Sequence, residues 1–367
     1  MIEGFMKETN DFLMPEYYSG FRCKMGECRT ACCVGWPISV SLENYFKLIG
    51  MECSPELRSK LDVGLRMTDH PTPDHYACFN PRYDGNCPMR MEDGRCLIHA
   101  EKGEDALADV CRLFPRGIRV DGVHECSCSN SCEAVAEIFL GMREPMRFVK
   151  KTIAVEVPDG SDSTGHVHTE AEQEKRMAII AFLQSRDQSL AARIADLGRK
   201  IDKDVKIPRH SAENGELYIA MVKTLAEHHD SIADYAEEAI SCLTDENGAY
   251  DWGIYERACA EFEARFPQWE IFFEHLIVNH IFFSRFPITE RKMAEIDVWK
   301  ALVLIYALLR FIAVGYTVSH PDEAGLVDAV SACFRMIDHT DFTSYAAALM
   351  KKYALGGNDA LGNLLGL

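Results

Sequence analysis

The chain has 367 residues, is 47% hydrophobic and carries a net charge of −18. That length and apolar content suit one large or two medium domains with sizeable cores, and exclude a disordered chain. The acidic balance argues against a general nucleic-acid or anionic-membrane binder, whose affinity needs a cationic face.

The N-terminal stretch MIEGFMKETNDFLM lacks the apolar region of a secretory signal, so a cytoplasmic location is expected. Ser41 precedes a short amphipathic helix over 43–49, and further short helices are expected over 104–111 and 133–141. Asp121-Gly122, flanked by Ile118-Arg119-Val120 and Val123-His124-Glu125, signals a β-hairpin, and 153–157 reads as one more strand. The polar, turn-rich stretch 158–165 marks a boundary, giving units 1–157 and 158–367.

The second unit reads as consecutive helices. Ile179, Leu183, Leu190, Ile194 and Leu197 share one helical face. Further helical patterns cover 216–243, 255–266, 269–283, 290–314 and 323–336. Residues 301–316 are apolar on nearly every side but contain Arg310 and fall short of a membrane span. They are expected at the centre of a helical core, and no membrane partner is expected. The fold class is therefore mainly α: an irregular, cysteine-rich, metal-binding front half packed on a helical array, with a minor β-hairpin.

Twelve of the fifteen cysteines lie between residues 23 and 132. Without export, such density points to metal or redox chemistry rather than disulfides. The thiols fall in four stretches. Cys23, Cys28, Cys32 and Cys33 form the first, with adjacent Cys32 and Cys33 expected to point different ways. Cys87 and Cys96 flank an Asp93-Gly94 turn, Cys111 precedes Arg112-Leu113-Phe114-Pro115-Arg116, and Cys126-Ser-Cys128-Ser-Asn-Ser-Cys132 leads into a helix. The positive end of that helix should favour the Cys132 thiolate. Thiolates select zinc, copper(I) or iron–sulfur clusters. The paired C-x2-C spacing of zinc fingers is absent, and widely spread thiols suit a cubane, although zinc stays open. Cys53, Cys78, Cys242, Cys259 and Cys333 read as packing residues.

The order C-x4-C-x3-CC-x-GW, then CP…DG-x-C-x-I, then L-x-x-x-CR-x-FPR resembles cysteine-cluster zinc- or iron-chelating domains. More closely it resembles the flagellin lysine N-methylase family. The likeness continues through Ser131 to Ala136, through Leu183-Gln184-Ser185-Arg186, and through 269–287. In the last segment Glu274, Val278 and Asn279 are kept, while His275, Leu276 and His280 stand where the family pattern has Asn, Tyr and Tyr. The resemblance implies S-adenosylmethionine as methyl donor, protein lysines (flagellin first) as acceptor, and an iron–sulfur cluster of 4Fe-4S type. It implies metal ligands among Cys23, Cys28, Cys32, Cys33, Cys87, Cys96, Cys111 and Cys132. Eight thiols exceed the four that one cubane takes, so some serve as supports or there are two sites.

Methyl transfer to lysine needs a neutral amine, a proton acceptor, and a pocket for a sulfonium. Tyr17, Tyr18 and Glu274 are the candidate catalytic groups, and Trp36, Arg112, Arg116 and Asn279 the candidate donor-binding groups. No G-x-G-x-x-G follows a predicted strand, so methyl transfer would use an architecture other than the Rossmann fold. The competing reading is a non-enzymatic metal protein, structural or redox-sensing.

Overall fold

A computed structural model describes residues 6–157, 166–203, 215–288 and 292–352. The expected 158–165 linker lies outside the described residues. Helix dominates, with fourteen α-helices and two small sheets among the described residues.

The first strand, β1 (Met6–Pro15), pairs antiparallel along its whole length with β7 (Phe148–Val157), from Met6 opposite Val157 to Pro15 opposite Phe148. On its other edge β1 meets β6 (Glu125–Cys128) in parallel, and β6 pairs with β5 (Arg116–Arg119). The expected hairpin is present, but its first strand starts two residues early and the connection runs over 120–124. Asp121-Gly122 lies in that longer loop, with Gly122 at φ +91°. A second sheet of order β2-β4-β3 joins Ile38–Val40, Ala77–Phe79 and Leu65–Met67. Neither β1 nor this sheet is signalled by sequence alternation.

Helix α1 (Leu42–Ile49) is capped as expected, with the Asn44 amide donating to Ser41 Oγ at 3.2 Å. Helix α2 (Pro55–Gly64) starts at a serine cap and a proline. Helix α3 (Leu97–Lys102) follows Cys96, and the segment expected as one helix over 104–111 divides into a 3-10 turn and α4 (Asp109–Leu113). These elements share a small core of their own: Ile38, Leu48, Leu57, Leu61, Phe79, Met89 and Ile98, with Cys33, Cys87, Cys96 and Cys111 against it.

Helix α5 (Glu133–Gly141) has the predicted bounds. Val135 and Phe139 on it, with Phe21 and Cys128, pack into the large core of the helical half. Hydrophobic packing thus runs across residue 157, and the front half has two cores apart from it, that of 33–111 and a smaller one of Phe12, Met14 and Cys126 in the first sheet.

Helices α6 (Glu170–Leu183) and α7 (Leu190–Ile201) replace the single expected pattern, interrupted where Arg186 takes φ +56°. The 216–243 pattern likewise divides at His229 into α8 (Gly215–His228) and α9 (Asp230–Cys242). Helix α10 (Trp252–Arg265) is followed by α11 (Trp269–Phe283), which keeps its predicted bounds. Helix α12 (Glu295–Ser319) is long and apolar enough to cross a membrane, but most of its apolar stretch is buried among α7, α9, α10, α13 (Glu323–His339) and α14 (Phe342–Lys352).

One buried charge group ties the hairpin to the helices. Glu125 is 2% exposed. It accepts from Arg176 of α6, from Gln173 at 2.8 Å and from Arg285 Nε at 3.2 Å, while Arg285 also pairs with Asp121. Removing one member strands the others without water. Glu125→Ala is expected to lower the unfolding free energy by about 3–5 kcal/mol, read as a fall in the urea midpoint. A midpoint unchanged from wild type would show that the seam does not depend on this group.

Candidate functional site

The cysteine loops are held by specific contacts. Glu133, at the start of α5, accepts from Lys24 Nζ at 2.6 Å and from the Thr30 amide at 3.1 Å. Lys24 also reaches Glu137, and Arg29 grips Asp328 of α13. The 24–30 loop is thereby clamped where Cys132 caps α5. In the second loop the Cys87 amide donates to the Cys33 carbonyl at 2.9 Å, and Arg90 pairs with Cys96 around the Asp93-Gly94 turn, as the sequence suggests. The two loops cross at glycines. A Cβ on Gly26 would lie 2.8 Å from Gly94 and Arg95 main-chain atoms, and Gly26 and Gly94 take φ +109° and +86°.

These clamps sort the eight expected ligands into two neighbourhoods. Cys33, Cys87, Cys96 and Cys111 face one another beside the small core. Cys23, Cys28 and Cys132 face one another at the start of α5. Cys32 lies between, close to Cys33, Cys111 and Cys132. The first neighbourhood is the more enclosed, while Cys23 and Cys32 are exposed.

Burial pushes the Cys28 and Cys87 thiols up to about 12 and Cys111 higher still, with neighbouring thiols adding to each. The nearby Val135 and Ala134 amides favour the Cys132 thiolate, yet burial outweighs this expected help and its thiol rises to about 11. Cys33 alone goes down, because Cys32 donates to it and Arg90 and Arg335 lie near. Such crowded thiols ionise together only against strong positive charge, which a bound metal centre provides. Among the described residues no three sulfurs come within 4.8 Å of one another.

Behind the cysteine loops, a short 3-10 turn (Glu16–Gly20) presents Tyr17 to α11. Its hydroxyl donates to Asn279 Oδ1 at 2.7 Å and accepts from the Cys128 amide at 3.1 Å. Asn279 in turn donates to the Cys128 carbonyl at 2.8 Å and to Asn130 Oδ1 at 2.7 Å. Two expected site residues, 262 positions apart, are therefore directly bonded. Burial raises the Tyr17 hydroxyl far above its usual range, so it is a proton-holding donor rather than a base. Tyr18 is likewise raised by burial, beside Cys126.

Glu274 is fully buried, with one oxygen held by Arg186 at 2.8 Å and the other by Arg193 at 2.6 Å. This engagement makes it a brace for the loop after α5, not an available proton acceptor. Arg186 also donates to the Arg143 carbonyl at 2.7 Å, and His275 to the Glu144 carbonyl at 2.9 Å. In front of that brace opens a cleft of about 630 Å³, lined by Glu16, Tyr17, Arg143, Glu144, Pro145 and Arg147.

The other expected donor-binding residues lie elsewhere. Trp36 tilts against His339 at 5.2 Å, Arg112 meets Asp109 at 3.4 Å, and Arg116 sits over Phe21 at 5.0 Å. The cleft residues Arg143, Glu144 and Arg147 escape sequence reading. Their only signal is a cluster of charges between a helix and a strand: Arg143-Glu144-Pro145-Met146-Arg147.

Fold and site define a mainly helical protein with a thiol-rich front half and an open cleft between the turn at Glu16-Tyr17 and the loop after α5. Residues 203–367 match the family described as the FliB lysine N-methylase C-terminal domain. A lysine-N-methylase of Salmonella typhimurium is 27% identical over 142 residues, covering 38% of this chain and 35% of that protein, and the Salmonella choleraesuis protein matches equally. A flagellar biosynthetic protein FliU of Salmonella muenchen is 26% identical over 102 residues, 28% of this chain and 60% of that protein. The matched part thus spans about a third of the two lysine N-methylases. No solved structure matches. The likeness to lysine N-methylases is thus partial and of modest identity, in keeping with the resemblance read from the sequence.

The loop crossing supplies a test. Gly94→Ala places a methyl group against the Gly26 main chain and is expected to destabilise the front unit by about 1–3 kcal/mol, seen as earlier thermal unfolding. Unchanged melting would mean that the two cysteine loops are not locked together there.

Proposed function

We propose that this chain transfers a methyl group from S-adenosylmethionine to lysine Nε of a protein, flagellin first, in the cytoplasm, with an iron–sulfur cluster on its cysteine thiols. The observation that carries the reading is the cleft lined by Tyr17, whose hydroxyl is bonded to Asn279 of the helical half, in a chain whose C-terminal part matches a lysine N-methylase family. The relatives' names, lysine-N-methylase and flagellar biosynthetic protein, support the acceptor.

The cleft is of a size that takes a molecule such as the donor. Arg143 and Arg147 suit its carboxylate, and Glu16 and Glu144 suit the sulfonium charge. These replace Arg112 and Arg116 as the donor-binding arginines of the proposal. A lysine near pKa ~10.4 must shed its proton, and Glu144 or water at the mouth receives it. The amine nitrogen then forms its bond to the methyl carbon as the carbon–sulfur bond breaks, and the sulfur keeps the electron pair. Tyr17, held by Asn279 and the Cys128 amide, fixes the floor of the site. The net charge of −18 favours approach of a lysine-bearing surface. The thiols of either neighbourhood would hold the cluster, which supplies redox capacity and cross-links the loops when bound.

Isothermal titration of anaerobically prepared protein with S-adenosylmethionine, then mass spectrometry of flagellin after incubation, tests the reading. Donor binding and methyl increments on flagellin lysines are expected. A double variant, Arg143→Ala with Arg147→Ala, is expected to weaken donor binding by about tenfold or more, given ~1.5–3 kcal/mol per charged hydrogen bond. No donor binding by cluster-loaded protein would overturn the methylase reading in favour of a metal-bearing sensor.

The thiols give a separate test. Cys28→Ser and Cys111→Ser are each expected to lower bound iron and acid-labile sulfide per chain. Full retention in both would remove the cluster from these two neighbourhoods.

A further inference from the structure

Outside the cysteine region, the segment leading into α6 carries His166, His168 and Glu172. Their ligand atoms all lie within 4.8 Å of one another. His166 Nε2 is 3.0 Å from Glu172 Oε1, and His168 Nδ1 is 3.8 Å from Glu172 Oε2. The two imidazole rings meet edge to face at 4.7 Å.

The positions are set by main-chain structure. The His168 amide donates to the Asp121 carbonyl at 3.0 Å, and its own carbonyl accepts from Val123 at 3.2 Å, so the hairpin loop holds it from both sides. Glu172 is the third residue of α6 and belongs to a capping box: Thr169 Oγ1 accepts from the Glu172 amide, and Glu172 Oε2 accepts from the Thr169 amide at 2.9 Å. Both ligand-bearing elements are thus in place before any ion arrives.

One observation points to a ligand. His168 is 7% exposed, and its Nδ1, which faces the Glu172 carboxylate, has no hydrogen-bond partner. A buried imidazole nitrogen left unpaired in front of a carboxylate is unfavourable unless something bridges them. The surrounding charges permit a cation. Arg176 and Arg285 lie near, but both are engaged by Glu125, and Arg285 also by Asp121. Glu172 then leaves the pocket with an excess of negative charge.

We propose that His166, His168 and Glu172 form a site for a divalent transition metal, zinc first, separate from the thiols. Two imidazoles and one carboxylate are a known zinc donor set, and ligand separations of 3.0 and 3.8 Å need little adjustment around one ion. A fourth position stays open to water. An ion here staples the start of α6 to the 120–124 loop, reinforcing the Glu125 seam from its outer side.

The probe is cobalt(II), titrated into the full-length, cluster-loaded protein, with iron and sulfide checked afterwards. One equivalent should bind with visible d–d absorption and without sulfur-to-cobalt charge transfer. His168→Ala and Glu172→Gln should each weaken this binding by about tenfold or more. His166→Ala, at a more exposed position, provides a variant that keeps the buried packing and should show the same loss. Binding of equal strength in wild type and in His166→Ala and Glu172→Gln overturns the site. So does a wild-type spectrum showing thiolate-bound cobalt alone.

Discussion

A helix buried on all sides cannot carry polar residues unless something outside it completes their hydrogen bonds, and α11 carries four. Glu274, His275, Asn279 and His280 are each at least nine-tenths buried. An unsatisfied group of this kind costs about 1–3 kcal/mol, more for a charge. Their partners come from elsewhere: Arg186 and Arg193, the Glu144 carbonyl, Tyr17 with Asn130 and the Cys128 carbonyl, and Asp338. Of these, the Glu144 carbonyl, Tyr17, Asn130 and the Cys128 carbonyl belong to the front half and hold it on α11, while Arg186, Arg193 and Asp338 come from the helical half itself. The large apolar core supplies most of the burial, and these directional bonds add to its packing a fixed register between the halves.

The same bonds shape the candidate site. Arg186 and His275 take hold of successive carbonyls, Arg143 and Glu144, so the loop after α5, which lines the cleft, is tied to the helical half. At the other end of α5, Glu133 anchors the first cysteine loop through Lys24 and Thr30. One nine-residue helix therefore joins the thiols to the cleft. Disturbance of the cysteine loops reaches the cleft through α5, and through the main chain of Cys128, which bonds both Tyr17 and Asn279.

Legibility in the sequence follows the range of the determining forces. Helices bounded by local signals, such as 133–141 and 269–283, were readable to the residue, because caps and prolines act within a turn. Helix–helix breaks at 184–189 and His229 were not, since the apolar pattern continues across them and the Arg186 conformation answers to a distant carboxylate, Glu274. Strand β1 was missed because its partner, β7, lies at the far end of the front half, and pairing at that separation leaves little local trace. The crowding of the front-half cysteines was legible from their spacing. Their division was not, since it depends on the Gly26–Gly94 crossing and the Glu133 clamp. Tyr17 and Asn279 were each singled out from their segments, but only the fold joins them. Glu274 was readable as important, yet its two arginines change its part from proton acceptor to brace.

The doubled cysteine at 32–33 shows how sequence adjacency can set chemistry over a distance. Cys33 belongs with Cys87, Cys96 and Cys111, and Cys32 stands between that set and Cys132. Neighbouring residues cannot drift apart, so whatever occupies one neighbourhood constrains the other through a single peptide unit. Arg335 of α13 bonds the Thr30 and Ala31 carbonyls and also lies over Trp36, which fixes the chain on both sides of the pair. The pair is thus held to the helical half independently of any metal. The proximity of the two thiols pushes their proton affinities in opposite directions, Cys32 up and Cys33 down, with Arg90 and Arg335 also favouring the Cys33 thiolate. The doubled cysteine, rather than the number of thiols, is thus what joins the two neighbourhoods, through covalent adjacency.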